Sequence, residues 1–140
     1  MRALVPALIA AALAGAVHAA PTMQPGLWQI TTEVTMPGHP GPIPPMRVEQ
    51  CFTAEQLAKT EHPLPQMQGC TLDDSRRDGD ITRWRMHCDN KQGRMSAQGE
   101  IRYGPDSYSG GASFTQTVDG KPMTLTHRYQ AKRVGTCPKP

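Results

Sequence analysis

Cys51, Cys70, Cys88 and Cys137 are the residues whose types carry the most definite chemistry in this chain. An even cysteine count with no Cys-x-x-Cys spacing argues against a thioredoxin-like redox site and a zinc ribbon. It reads as two disulfides formed in an oxidising compartment. Four cysteines allow three connectivities, so the pairing has to come from strand register. A second constellation, Met36, His39 and Met46, brackets a proline-rich loop. Thioether and imidazole together suit Cu(I), but prolines space these groups apart and nothing fixes a geometry, so no metal site is assigned.

Met86, Met95, Met123, Trp84, Phe114 and Tyr129 form a third group, placed on one apolar face by their alternation. They read either as a core filled by flexible side chains or as the lining of a pocket for an apolar small molecule or lipid. His127 belongs to the same face, opposite Phe114, where a neutral, hydrogen-bonded histidine is expected. His87 projects to the other face with no partner legible in the sequence. Neither histidine has a nucleophile at motif spacing, and no Gly-x-Ser-x-Gly, His-Glu-x-x-His or phosphate loop occurs. No catalytic residue and no cofactor is therefore expected. The polar alternation carries Arg83, Arg85, Arg102, Arg128 and Lys132, with Asp73 and Glu100 among or beside them. That face reads as a solvated mixed surface, or as one that meets an anionic surface such as lipid headgroups.

The elements that must position these residues are strands. Trp28, Ile30, Thr32, Val34 and Met36 alternate with polar residues after a Pro25-Gly26 turn, the period-2 signature of a half-buried strand. Pro37 to Pro45 lacks too many backbone donors for strand or helix and reads as a stiff, exposed loop. Met46, Val48, Gln50 and Phe52 return as a second strand. Thr53-Ala54-Glu55-Gln56 has the spacing of a capping box and opens a short helix to about Lys59. Glu61 to Gly69 reads as loop.

The next hairpin fixes the sulfur pairing. A two-residue Asp78-Gly79 turn sets Leu72 opposite Arg85 and mixes apolar with charged residues. A three-residue loop over Asp78-Gly79-Asp80 sets Leu72 opposite Met86, Asp74 opposite Trp84 and Cys70 opposite Cys88. A one-residue slip flips every side chain, so the hydrophobic pattern selects the second register. Opposed Cβ atoms lie roughly 4.5–5.5 Å apart, which permits Cys70–Cys88 and leaves Cys51–Cys137 by elimination. Loop entropy assigns the long bond about 4 kcal/mol and the hairpin bond about 3 kcal/mol. Three more alternating strands follow, turned by Gly104–Ser107 and Asp119–Pro122, and pair Tyr103 with Tyr108, Ala97 with Phe114 and Ala112 with Tyr129. The fold class expected is mainly β: a curved antiparallel meander of about seven strands, open or barrel-like, with one short helix.

Ahead of this domain, Arg2 and the apolar run Ala3–Val17 read as a secretory leader, cut after Ala19 in Val17-His18-Ala19. The run is too short to span a bilayer, so no transmembrane anchor is expected after cleavage. Residues 20–140 are then a single domain. The chain's formal charge of +3 falls to +2 with the loss of Arg2, which gives no pull toward nucleic acid. With only 5% aromatic residues the core is modest, the situation in which cross-links matter most.

The order Pro25-Gly26-Leu27-Trp28-Gln29-Ile30-Thr31-Thr32, Met36-Pro37-Gly38, Cys51 before Thr-x-Glu-Gln, Gly69-Cys70, Trp84, Cys88 and Gly135-Thr136-Cys137 resembles the proteobacterial domain of unknown function 3617 family. The likeness spans nearly the whole mature chain. It implies an exported, periplasmic protein and a domain extent; it implies no activity and no site residues. The functional expectation is a non-enzymatic binding or chaperone-like module for an apolar ligand or lipid. The alternative is a structural or envelope-interaction module acting through the proline-rich loop or the outer face.

Overall fold

The computed structural model describes residues 23–59, 68–91 and 93–139. The expected leader, residues 1–19, and most of the expected loop between Glu61 and Gly69 lie outside the described residues. Seven strands and one helix follow in order: β1 (Gly26–Thr35), β2 (Met46–Phe52), α1 (Ala54–Lys59), β3 (Cys70–Asp78), β4 (Ile81–Asn90), β5 (Gly93–Tyr103), β6 (Ser107–Val118) and β7 (Lys121–Gly135). They form one antiparallel sheet in the order β2-β1-β7-β6-β5-β4-β3, and the edge strands β2 and β3 do not pair with each other. The sheet is therefore mainly β, antiparallel and open. β3 to β7 is a meander; the departure from one is the β1–β2 hairpin, whose first strand docks on β7 and whose second ends at the edge remote from β3.

α1 starts where its capping box says it should. The Thr53 amide donates to Gln56 Oε1 (2.9 Å) and the Gln56 amide donates to Thr53 Oγ1 (3.2 Å), satisfying two amides that the helix leaves open. Leu57 packs against the core from this helix.

The β3–β4 hairpin pairs Cys70 with Cys88 and Leu72 with Met86, as the hydrophobic pattern requires. Nearer the turn the register differs from expectation. A bulge between Leu72 and Asp74 sets Asp74 opposite Arg85 and Ser75 opposite Trp84, and the turn holds two residues, Gly79 and Asp80, between Asp78 and Ile81. Gly79 takes φ 61°, a conformation that costs glycine nothing. One extra residue at the bulge thus replaces the extra residue expected in the loop. Both disulfides form as expected, Cys70–Cys88 and Cys51–Cys137.

The β6–β7 register needs a correction. Ala112 faces His127 and Gly110 faces Tyr129, two residues from the expected pairing, and Phe114 faces Leu125. The cause is a tight Asp119-Gly120 turn with φ 50° and 74°, which leaves Lys121 and Pro122 inside β7. Proline is tolerated there because β1 pairs with β7 only from Thr126 onward, so residues 121–125 lie on an open edge. A two-residue slip preserves the faces, so every side chain stays on its expected side. Tyr103–Tyr108 and Ala97–Phe114 pair as expected.

Two apolar clusters line one face. Trp28, Phe52, Ile101, Tyr103 and Ala131 form the first with Met23, and Trp84, Met86, Cys88, Ala97, Ala112 and Phe114 the second. Trp28 lies 5.7 Å from Tyr108, ring to ring, and its indole N–H donates to the Gln24 carbonyl. Two glycines make this packing possible. A Cβ on Gly99 would meet the Trp84 ring at 2.5 Å, and one on Gly110 would meet the Glu100 carbonyl at 2.2 Å and the Ile101 Cα at 2.9 Å. Large side chains fold over the bare strand where their cross-strand partners have none.

Candidate binding trough on the polar face

Alternation places Arg94, Ser96, Gln98 and Glu100 of β5 on the face opposite the core, flanked by Arg83, Arg85 and His87 of β4 and by Gly111, Ser113 and Thr115 of β6. These residues line an open trough. Its largest section, about 740 Å³, lies between β3 and β7 around Arg76, Arg83 and Glu100. A section of about 260 Å³ adjoins it through Arg85, Gln98 and Ser113. A third, of about 530 Å³, continues through Ser96 and Thr115 to Arg94 and Thr117. From Glu100 to Arg94 the trough follows β5 for about 20 Å, at about 3.4 Å per residue.

Hydroxyls and amides make its floor. Thr115 and Thr124 share a hydrogen bond of 2.9 Å, and Gly111 leaves the floor bare where β6 meets β7. Charges make its wall, and most are matched across strands: Arg83 Nε to Glu100 at 2.9 Å, Arg85 Nη2 to Asp74 at 3.4 Å and Arg94 Nε to Asp89 at 3.2 Å. All these side chains are half-exposed or more, so each pair is worth at most about 1 kcal/mol and is available to a ligand. Arg76 is the exception. It stands directly opposite Arg83, like charge against like, and among the described residues it makes no ion pair.

His87 has the partner that sequence reasoning missed. The bulge in β3 turns Asp73 toward it, and His87 Nδ1 and Asp73 Oδ1 lie 2.5 Å apart. Asp73 precedes a residue that must regain its pairing, and no spacing in the sequence announces that. His127 lies on the apolar face as expected. Its ring centroid sits 4.6 Å from that of Phe114, its Nδ1 lies 3.2 Å from the Tyr129 hydroxyl, and burial lowers its pKa from 6.5. Burial likewise pushes the Tyr108 and Tyr129 hydroxyls up to about 12, so both are neutral donors at any ordinary pH.

The six residues expected to line an apolar pocket share one face but not one environment. Trp84, Met86 and Phe114 are packed at 2%, 5% and 7% exposure, Met95 and Tyr129 are half-buried against their cluster, and Met123 is half-buried on β7. Among the described residues two buried polar atoms of β4, Thr82 Oγ1 and Trp84 Nε1, have no hydrogen-bond partner, at a cost of roughly 1–3 kcal/mol each. Met36 is half-buried at the end of β1, whereas His39 and Met46 are exposed, and His39 Nδ1 engages the Gly41 carbonyl at 2.9 Å. Among the described residues no group of three histidine, cysteine or acidic side chains is placed to hold a metal.

An open antiparallel sheet, pinned by two disulfides and carrying a hydroxyl- and guanidinium-lined trough on its outer face, defines a small disulfide-stabilised β domain. The family model described as a protein of unknown function, DUF3617, matches residues 23–137, and the chain belongs to that family. No curated protein and no solved structure matches the chain.

Proposed function

We propose that this protein is a non-enzymatic binding module of the periplasm, and that its recognition surface is the polar trough. The Ala3–Val17 run, the Val17-His18-Ala19 cleavage sequence and two disulfides support export to an oxidising compartment. The observation that carries the binding reading is Arg76 opposite Arg83 at the wide end of the trough, with Glu100 the carboxylate that Arg83 contacts. Opposed guanidinium groups repel one another, and an anion between them relieves that cost through charge-assisted hydrogen bonds. Beyond them, Gln98, Ser96, Ser113 and Thr115 offer alternating donors and acceptors over a length that suits an extended, hydroxyl-rich chain. The ligand class is therefore an acidic glycan, its anionic group held by Arg76 and Arg83.

Titration calorimetry with an oligogalacturonate tests this. Binding that weakens with salt and falls roughly tenfold or more in Arg76→Ala is the expected result, that being the worth of one charge-assisted hydrogen bond. Equal binding of a neutral cello-oligosaccharide, or indifference to Arg76→Ala, overturns it. Binding of anionic phospholipid vesicles in its place assigns the trough to lipid headgroups.

The apolar face supports a second reading through one observation: among the described residues Thr82 Oγ1 and Trp84 Nε1 are buried and unpartnered, and half-buried Met95 and Tyr129 pack against the cluster that holds Trp84. A lipid that brings its own polar group satisfies such atoms. Native mass spectrometry of protein purified from the periplasm detects it as a co-purifying mass, and a bare protein mass removes this reading.

A further inference from the structure

The two edges of the sheet are unlike. β3 is guarded: a bulge at Asp73 breaks its register, and Asp73, Asp74, Arg76, Arg77 and Asp78 crowd its length with charge. Bulges and charges are what keep sheet edges from pairing with other chains. β2 has neither defence in that measure. It pairs with β1 without a register shift from Met46 to Phe52, holds no proline, and carries two charges, Arg47 and Glu49. Met46 and Val48 are apolar yet 57% and 55% exposed. Their N–H and C=O neighbours on the outer side face no strand among the described residues.

The two charges of β2, Arg47 and Glu49, are exposed. They stand opposite Thr31 and Gln29 on β1 and make no ion pair among the described residues. A twofold axis through Val48, perpendicular to the sheet, gives them one. Antiparallel pairing of two β2 strands about that axis sets Arg47 opposite Glu49 of the second copy and Glu49 opposite Arg47. Val48 then faces Val48, and Met46 faces Gln50. Moving the axis one residue either way sets Arg47 against Arg47 or Glu49 against Glu49, so charge selects this register alone. The twofold also keeps like faces together, polar with polar and apolar with apolar.

We infer that the protein self-associates through β2, as a symmetric dimer in which two seven-stranded sheets join edge to edge about Val48. The interface is isologous, made from one strand of each copy: backbone hydrogen bonds supply attraction and the two Arg47–Glu49 contacts supply register. The inference is independent of what the trough binds, because the trough is lined by β3 to β7 and no residue of β2 contributes to it.

Charge exchange tests it. Sedimentation velocity of the oxidised protein over a concentration series is expected to show a monomer–dimer equilibrium. Arg47→Glu and Glu49→Arg each place like charges opposite one another twice, and each weakens self-association at least tenfold. Mixed in equal amounts, the two single variants form a heterodimer, because both facing pairs then join a carboxylate of one variant to a guanidinium of the other. The double variant Arg47→Glu/Glu49→Arg regains the wild-type dimer. Both positions are exposed, and unchanged near-ultraviolet circular dichroism establishes that the variants fold. A monomer at every concentration up to the solubility limit, or a dimer indifferent to the single reversals, overturns the inference.

Discussion

His127 rests against Phe114 and Tyr129, and its burial lowers the proton affinity of its ring below the ordinary value of 6.5. A half-buried histidine that resists protonation links stability to pH with a definite sign. Above about pH 6.5 both folded and unfolded chains carry it neutral, and it contributes nothing to pH dependence. As pH falls below that value the unfolded chain takes up a proton that the folded chain refuses, so stability declines until the lowered folded pKa is reached. His127→Gln is expected to flatten the fall in Tm between pH 7.5 and pH 5 relative to the parent protein. Equal slopes for both proteins would refute the assignment. The same residue shows how far alternation reaches: it placed His127 on the apolar face, but Phe114 contacts it as a diagonal neighbour rather than as its cross-strand partner.

Among elements, the packing of β4, β5 and β6 is controlled by what their glycines omit. Gly110 faces the core side of β6 opposite Ile101, and the space where its side chain would stand is filled by the Glu100 carbonyl and the Ile101 backbone. Backbone atoms cannot rotate away as a flexible side chain can. Gly110→Ala is therefore expected to destabilise the fold by about 2 kcal/mol or more, in the range of overpacked cores. Chemical denaturation reads it out, and a loss under about 0.5 kcal/mol would mean the strands separate easily here. Gly120→Ala offers the contrast, since nothing lies within 4 Å of its missing Cβ and only its φ of 74° opposes the change. The β3 bulge belongs to this scale too. It reverses the faces of the strand beyond Leu72, which brings Asp73 to His87 and puts Arg76 in the trough. The proposed binding surface rests on that one inserted residue.

At the scale of the whole molecule, the disulfides close the path of the chain. Cys51–Cys137 ties the end of edge strand β2 to the segment after β7 across 86 residues, whereas Cys70–Cys88 closes 18 within one hairpin. Loop entropy gives the long bond the greater share, about 4–5 kcal/mol against about 3 kcal/mol. The pair Cys51→Ala/Cys137→Ala is thus expected to lower the denaturation midpoint more than Cys70→Ala/Cys88→Ala. The reverse order would mean that native packing at the hairpin, rather than chain entropy, dominates. With few aromatic residues and an open sheet, the core leaves little margin for losing either.

The amino-acid order alone determined the parts whose cause is local. Alternation set the strands and, outside β3 beyond Leu72, their faces; the Thr53–Gln56 reciprocity set the helix start, and the match of Leu72 to Met86 chose the sulfur pairs. Those signals are short-range, because a strand's side-chain period and a cap's hydrogen bonds involve residues a few positions apart. Only the tertiary structure decided where the bulge falls, how tightly Asp119-Gly120 turns, and that β1 docks on β7 to leave β2 and β3 as edges. The turn and the strand order are choices that keep the same hydrophobic faces, whereas the bulge flips the faces of β3 beyond Leu72, where no apolar residue marks one side. The energy that separates them comes from packing across the sheet, from Trp84 over Gly99 and Ile101 over Gly110, and from no segment taken by itself.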